Sequence, residues 1–236
     1  MSAIDTAFLI ERTKKVITDP VGVWQEVASE TSGIKEIYTR YVIPMAAIPV
    51  ICEFIKMVLI GQDIPFIGTI HWSIGEGIYF SILRYVFLLA GVYLGACVIE
   101  FLSPKFSTNV SKETGVKLLA YAAAPSYVGG VFSLFPWLGF VSLVLGLYSL
   151  YVLFQGFTVL TQVEEAKKVP FFASFVVVGF VVMVIFGGLV AFVGPDAPTP
   201  QMQNLEKIEL PGGKTIDVNE LQKSMEHLKN SLPKSE

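Results

Sequence analysis

Residues 118–163 read LLAYAAAPSYVGGVFSLFPWLGFVSLVLGLYSLYVLFQGFTVLTQV, 46 residues without one Asp, Glu, Lys or Arg. A core helix of a soluble domain uses roughly 10–14 apolar residues in a row, whereas a bilayer-crossing helix uses about 20, so this run holds two crossings. Lipid offers no partner to a free backbone group, which makes each crossing helical and puts the turn between them at an interface. LFPWLGF (134–140) supplies that turn. Pro136 lacks an N–H and disfavours helical geometry at Phe135, and Trp137 carries the amphipathic ring that prefers the headgroup level. The reading is a tight hairpin of two transmembrane helices, 115–135 and 137–160. Pro125 in AAAPSYVGG falls mid-span and is expected to kink the first, its freed carbonyl satisfied by Ser126, a neighbouring helix or water.

The whole chain agrees. Of its 236 residues 53% are hydrophobic and only 16% charged, against roughly 25% charged in a soluble domain. The net charge of −3 comes with no basic patch, which speaks against nucleic acid, and His71 and His227 are isolated, which speaks against a histidine metal site. No cofactor is implied. Cys52 and Cys97 fall in different spans at different depths and are not expected to pair. The N-terminus places its basic residues after the apolar ones, unlike a signal peptide.

Further runs at 39–60, 78–102 and 170–193 bring the expectation to five spans: an all-α integral membrane bundle, 39–193, with the hairpin joining its third and fourth helices. A polar arm (1–38) precedes it and a polar tail (194–236) follows. Arg12, Lys14, Lys15, Lys35 and Arg40 of the arm, Lys105, Lys112 and Lys117 after the second span, and Lys167 and Lys168 after the fourth all fall on one side. The 61–77 loop and the hairpin turn carry no Lys or Arg. The positive-inside rule then puts the N-terminus in the cytoplasm and the C-terminus outside.

In TDPVGVWQEVASETSG, Asp19 is an N-cap with Pro20 at the first helical position, and Trp24, Val27, Ala28 and Thr31 share a face. This is expected to be a helix on the cytoplasmic headgroups anchored by Trp24, as Trp137 anchors the hairpin turn. The alternative is a helix packed on the underside of the bundle. In the tail, IEL and TIDV flank PGGK as a hairpin, followed by a helix whose Leu221, Met225, Leu228 and Leu232 form one apolar stripe. A stripe that short needs a partner surface, on this chain, a second copy or another protein.

Chemistry is sparse. SYVGG has a serine near glycines, but no span supplies a histidine base, and no Walker loop or zinc signature occurs. The charged residues within spans are Glu53, Lys56, Arg84 and Glu100. Counted from the outer ends of their spans, Glu53 and Arg84 lie at nearly equal depth, about 10 Å in at 1.5 Å per residue, and are expected to form an intramembrane ion pair, the alternatives being a site for an anionic ligand or lipid headgroup and independent snorkelling. Helix contacts are expected at GVYLG (91–95) and at Gly129, Gly130, Gly146, Gly179, Gly187 and Gly188. Pro44, Pro49 and Pro125 are the expected kinks.

Three stretches also look familiar: LIERTKKVITDPVGVWQEVASE, IYTRYVIPMAAIPVICEFI and YAAAPSYVGGVFSLFPWLGFVSLVLGLYSLYVLFQG. From about residue 4 to 193 the chain resembles the bacterial branch of the Yip family, the Ypt/Rab-interacting membrane proteins. The resemblance implies five membrane helices, a cytoplasmic N-terminus and an extracytoplasmic C-terminus in the bacterial inner membrane. Eukaryotic relatives act in vesicle traffic and bind prenylated Rab GTPases, and many carry an acidic Leu-Tyr-Gly-Pro motif before the first span. Here that place reads DPVGVWQ, so the motif is missing. The leading expectation is a non-enzymatic scaffold or adaptor that recruits a protein partner or a second copy and shapes or senses membrane lipids. The alternative is a transporter or channel for a small solute or lipid, built on Glu53 and Arg84.

Overall fold

The computed structural model describes residues 5–64, 68–193, 207–210 and 214–217. It divides into two compact units, Met1–Gln62 with His71–Pro195 and Asp63–Ile70 with Asp196–Glu236. Two small two-stranded features lie wholly or mostly in the second unit. Gln62–Ile64 (β1) and Gly68–Ile70 (β2) pair in a stretch expected to be loop. Lys207–Leu210 (β3) and Lys214–Asp217 (β4) pair where PGGK calls for a hairpin, with Ile208 opposite Ile216. The tail helix with Leu221, Met225, Leu228 and Leu232 lies outside the described residues.

The first unit is a helical assembly. Thr6–Thr18 (α1) begins on Asp5, whose carboxylate accepts the Phe8 N–H at 3.0 Å. Pro20–Ser29 (α2) begins on Asp19, which accepts the Gly22 N–H at 2.9 Å, with Pro20 filling the first helical position where no N–H is needed. Ile34–Ile37 (α3) and Ile43–Ile55 (α4) belong to one helical run, Ile34–Ile60, that widens into π-helical turns at Tyr38–Val42 and Lys56–Ile60. The first π turn lies just ahead of Pro44, whose ring would otherwise press on the carbonyl four residues back. Pro49 lies inside α4.

Ile74–Leu102 (α5) starts four residues before the predicted span because Ser73 and Glu76 form a capping box. Next come Lys112–Ala122 (α6), Ala124–Phe132 (α7), Gly139–Leu160 (α8) and Glu165–Val193 (α9). The third predicted crossing is therefore two consecutive helices. The break falls at Ala123, because Pro125 disfavours helical geometry just ahead of itself. Ser126 does not cap a freed carbonyl. Its N–H and hydroxyl lie 2.9 and 2.8 Å from the Ser149 hydroxyl on α8, and further along the same contact Ser142 Oγ donates to the Gly129 carbonyl at 2.7 Å.

Four helical stretches among the described residues are long and apolar enough to cross a membrane: Ile34–Ile60, Ile74–Phe106, Gly139–Leu160 and Glu165–Ile185. Their outward faces carry Ile82, Phe101, Leu143, Phe180 and Ile185, all exposed. Water would not tolerate so extensive an apolar surface, whereas lipid tails match it. The core gathers toward the arm, where Trp24, Tyr41, Phe157, Phe171, Ile37, Ile99 and Leu118 are the largest fully buried side chains among the described residues.

Candidate functional site

Two polar assemblies stand out. The first joins the arm to the bundle. Trp24, expected among the headgroups, is 0% exposed, and its Nε1 donates to the Val152 carbonyl at 3.0 Å. The ring fits because residue 156 is glycine: a Cβ there would lie 2.4 Å from Trp24 Cε2 and 2.6 Å from Leu118 Cδ1. The apolar face of α2 thus packs on α8, and the underside alternative holds.

Around it, Arg12 pairs with Glu30, and its guanidinium lies 5.1 Å over the Tyr121 ring. Lys117 donates to the Glu30 carbonyl, so this lysine, counted above among the loop cations, is buried within α6. Tyr41 meets Tyr121 edge-on at 4.8 Å and lies 3.1 Å, oxygen to oxygen, from Thr13. Tyr148 donates to the Ile17 carbonyl at 2.8 Å. Nearer the surface, the Glu26 and Glu11 carboxylates beside Lys15 raise its pKa above the usual lysine value. Charged-to-neutral and aromatic contacts of this kind fix orientation as well as proximity.

The second assembly is the pair read from the sequence. Arg84 of α5 reaches Glu53 of α4, with Nη1 donating to Oε1 at 3.0 Å and Nε 2.6 Å from Oε2. The second is an ion-pair contact, and the buried Oε2 accepts no hydrogen bond. The pair is not sealed, since the side chains are 51% and 29% exposed for Arg84 and Glu53. It lines a cavity of about 370 Å³ together with Met57, Trp72, Phe80, Leu83, Phe87 and Gly187. Trp72 is held over this cavity by its N–H, which donates to the Met57 carbonyl at 3.1 Å, and by an edge-on contact with Phe80 at 4.7 Å.

The other predicted residues separate by environment. Trp137 is 73% exposed at the turn between α7 and α8. Pro49 abuts Gly130, where an added Cβ would lie 2.5 Å from the Pro49 Cβ. Gly95 and Gly129 also make close approaches, to Leu119 and Leu145. Gly91, Gly146, Gly179, Gly187 and Gly188, expected at contacts too, have nothing within 4 Å of a built Cβ. The small-xxx-small pattern marks where a helix permits approach; the rest of the fold decides whether a neighbour arrives. The buried network at Arg12, Glu30, Lys117 and Tyr121 went unread, because its members lie far apart in sequence and individually look like surface residues. Cys52 and Cys97 are free thiols.

The Yip1 domain matches residues 14–186, which takes in the arm from the last turn of α1 onward and nearly all the membrane helices. The chain belongs to the Yip1 domain family. Among curated proteins it is 29% identical over 162 residues to the inner membrane protein YohC of Escherichia coli K12, covering 67% of this chain and 83% of the relative. The YohC of Escherichia coli O6:H1 strain CFT073 matches to the same extent. No solved structure matches. Within this Yip1-family membrane protein, the matched segment contains both polar assemblies except for Glu11, Arg12 and Thr13.

Proposed function

We propose that this Yip1-family protein is a non-enzymatic, multi-pass scaffold of the bacterial inner membrane. The N-terminal arm faces the cytoplasm, α6 and α7 together make a third crossing joined to α8 by a tight turn at Trp137, and the fifth crossing delivers the C-terminus outside. The reading is supported by the charge asymmetry of the loops, by the exposure of Trp137 at the turn and by the inner-membrane designation of the YohC relatives.

The observation that carries the scaffold reading is the burial of Trp24 together with the pairing of Arg12 to Glu30 against the Tyr121 ring. They join α1 and α2 to α6 and α8, making a preformed platform. Beyond its fixed core, that platform presents apolar residues to solvent, among them Ile10 and Val21. Preformed surfaces lose less conformational entropy on association than flexible tails do. A stoichiometric partner captured by photocrosslinking at residue 10, and lost on Ile10→Asp without loss of the folded chain, is the expected result. Absence of any crosslink in cells overturns the reading.

The transporter alternative is favoured by one observation, the open, charged cavity at Glu53 and Arg84. Solute flux in proteoliposomes that disappears in Glu53→Gln would establish it over the scaffold.

A further inference from the structure

The cavity at Glu53 and Arg84 does not end at the charged pair. Phe87 also lines a second cavity of about 360 Å³ that continues down α5 between α6, α7 and α9, walled by Gly91, Gly95, Val98, Leu119 and Gly179. Arg84, Phe87, Gly91, Gly95 and Val98 recur at three- and four-residue steps and so lie along one face of α5. From Phe87 to Val98 the trough runs eleven residue steps, roughly 16 Å of helix, which matches one leaflet's share of a hydrocarbon core about 30 Å thick. The glycines make the trough. At Gly91 and Gly179 no atom of a neighbouring element among the described residues lies within 4 Å of where a Cβ would be, so both glycines border open space.

The upper cavity is polar and aromatic, and the lower one is apolar and elongated. Its mouth carries both signs. Arg84 retains Nη2 for an anion once Nη1 and Nε face Glu53, and Glu53 Oε2 is a buried acceptor without a hydrogen bond. Trp72 and Phe80 bound the same space as an aromatic wall, the kind of surface whose ring faces attract a cation. A phosphate beside the remaining Arg84 N–H groups and an ammonium donating to the Glu53 carboxylate, whose Oε2 accepts no hydrogen bond, complete this arrangement.

We propose that the two cavities form one site for a zwitterionic aminophospholipid: phosphate on Arg84, primary ammonium on Glu53 within the aromatic wall of Trp72 and Phe80, and an acyl chain along the Gly91–Gly179 trough. A purely anionic lipid would set its headgroup against Glu53 and bring no cation to its carboxylate. The site requires that the chain be embedded in a bilayer and is independent of whether the arm recruits a partner.

The test is native mass spectrometry of the full chain, delipidated in mild detergent and titrated with dioleoyl phosphatidylethanolamine, dioleoyl phosphatidylglycerol and chain-free glycerophosphoethanolamine. The expected result is about tenfold tighter binding of phosphatidylethanolamine than of phosphatidylglycerol, the worth of one well-made polar contact, and no binding of the chain-free headgroup at the same concentrations. Glu53→Gln should abolish the preference between the two lipids. Gly91→Leu and Gly179→Leu should each weaken phosphatidylethanolamine at least tenfold, while Gly146→Leu, equally open but outside the trough, should not. Thermal unfolding of each variant establishes that it is folded. Equal affinity for the two lipids, or equal effects of the Gly91 and Gly146 variants, would mean ordinary annular lipid and overturn the proposal. Tight binding of glycerophosphoethanolamine would assign the site to a soluble solute and overturn it as well.

Discussion

Trp24→Ala probes how the arm is held. The indole is 0% exposed, donates to the Val152 carbonyl, and occupies the space left by Gly156. Truncating a fully buried Trp leaves a cavity and removes a hydrogen bond, at a combined cost of about 3–5 kcal/mol. For a chain of this size that is a fall in Tm of roughly 6–20 °C. A tryptophan lying on the headgroups contributes nothing to packing between helices, and its loss would move stability by no more than about 0.5 kcal/mol. The complementary change is Gly156→Ala, which brings a methyl to 2.4 Å from the ring and 2.6 Å from Leu118, and overpacking of this kind costs about 1–3 kcal/mol. In the Trp24→Ala background the ring is gone and the Leu118 side chain has room to move, so the same methyl should cost little. The double variant is then less destabilised than the two single losses predict, by about 1–2 kcal/mol. Thermal unfolding of the full chain in mild detergent, followed by circular dichroism, measures all four corners of the cycle. A Tm loss below about 2 °C for Trp24→Ala, or strict additivity with Gly156→Ala, would refute the packing of α2 on α8.

Two further outcomes follow from named contacts. Glu53→Ala and Arg84→Ala should each cost about 1–2 kcal/mol, less than a sealed pair because both side chains are partly exposed, and the double variant should cost less than the sum because neither charge is left alone; additive losses in detergent unfolding would show that the pair contributes nothing. Gly130→Ala, whose methyl would lie 2.5 Å from the Pro49 Cβ and 2.7 Å from its Cα, should lower stability by about 1–3 kcal/mol, whereas Gly91→Ala meets open space and should be neutral or stabilising by up to about 1 kcal/mol. Equal unfolding midpoints for the two would contradict the placement of α4 against α7.

How much of this was legible in the sequence depended on whether a signal was local. Runs of uncharged residues declare membrane helices by themselves, and Asp19-Pro20 and PGGK declare a helix start and a turn, because the chemistry that forms them lies within a few residues. Glu53 and Arg84 were readable as a pair because charge is rare in such helices and both lie at one depth. Trp24 was misjudged between two environments with the same local requirement. An apolar stripe bearing a Trp fits a headgroup layer or a groove in protein equally well, and the deciding residue, Gly156, lies 132 positions away. The same limit applies to Gly91 and Gly179, whose lack of a side chain makes contact possible and which here border open space instead. Pro125 announced a discontinuity but not its place: the strain falls on the residues ahead of it, and the helix parts at Ala123.

The central claim, a five-crossing membrane platform with the arm in the cytoplasm, is tested most directly by impermeant thiol labelling of intact cells. Single cysteines would be placed in a background lacking Cys52 and Cys97, at His71, Trp137, Asn109 and Glu164, of which the first two belong outside and the last two inside. The account predicts that His71→Cys and Trp137→Cys react in intact cells, and that Asn109→Cys and Glu164→Cys react only after permeabilisation. Labelling of Trp137→Cys only after permeabilisation, on the same side as Asn109→Cys, would mean that α6 and α7 do not cross the bilayer and would contradict the account.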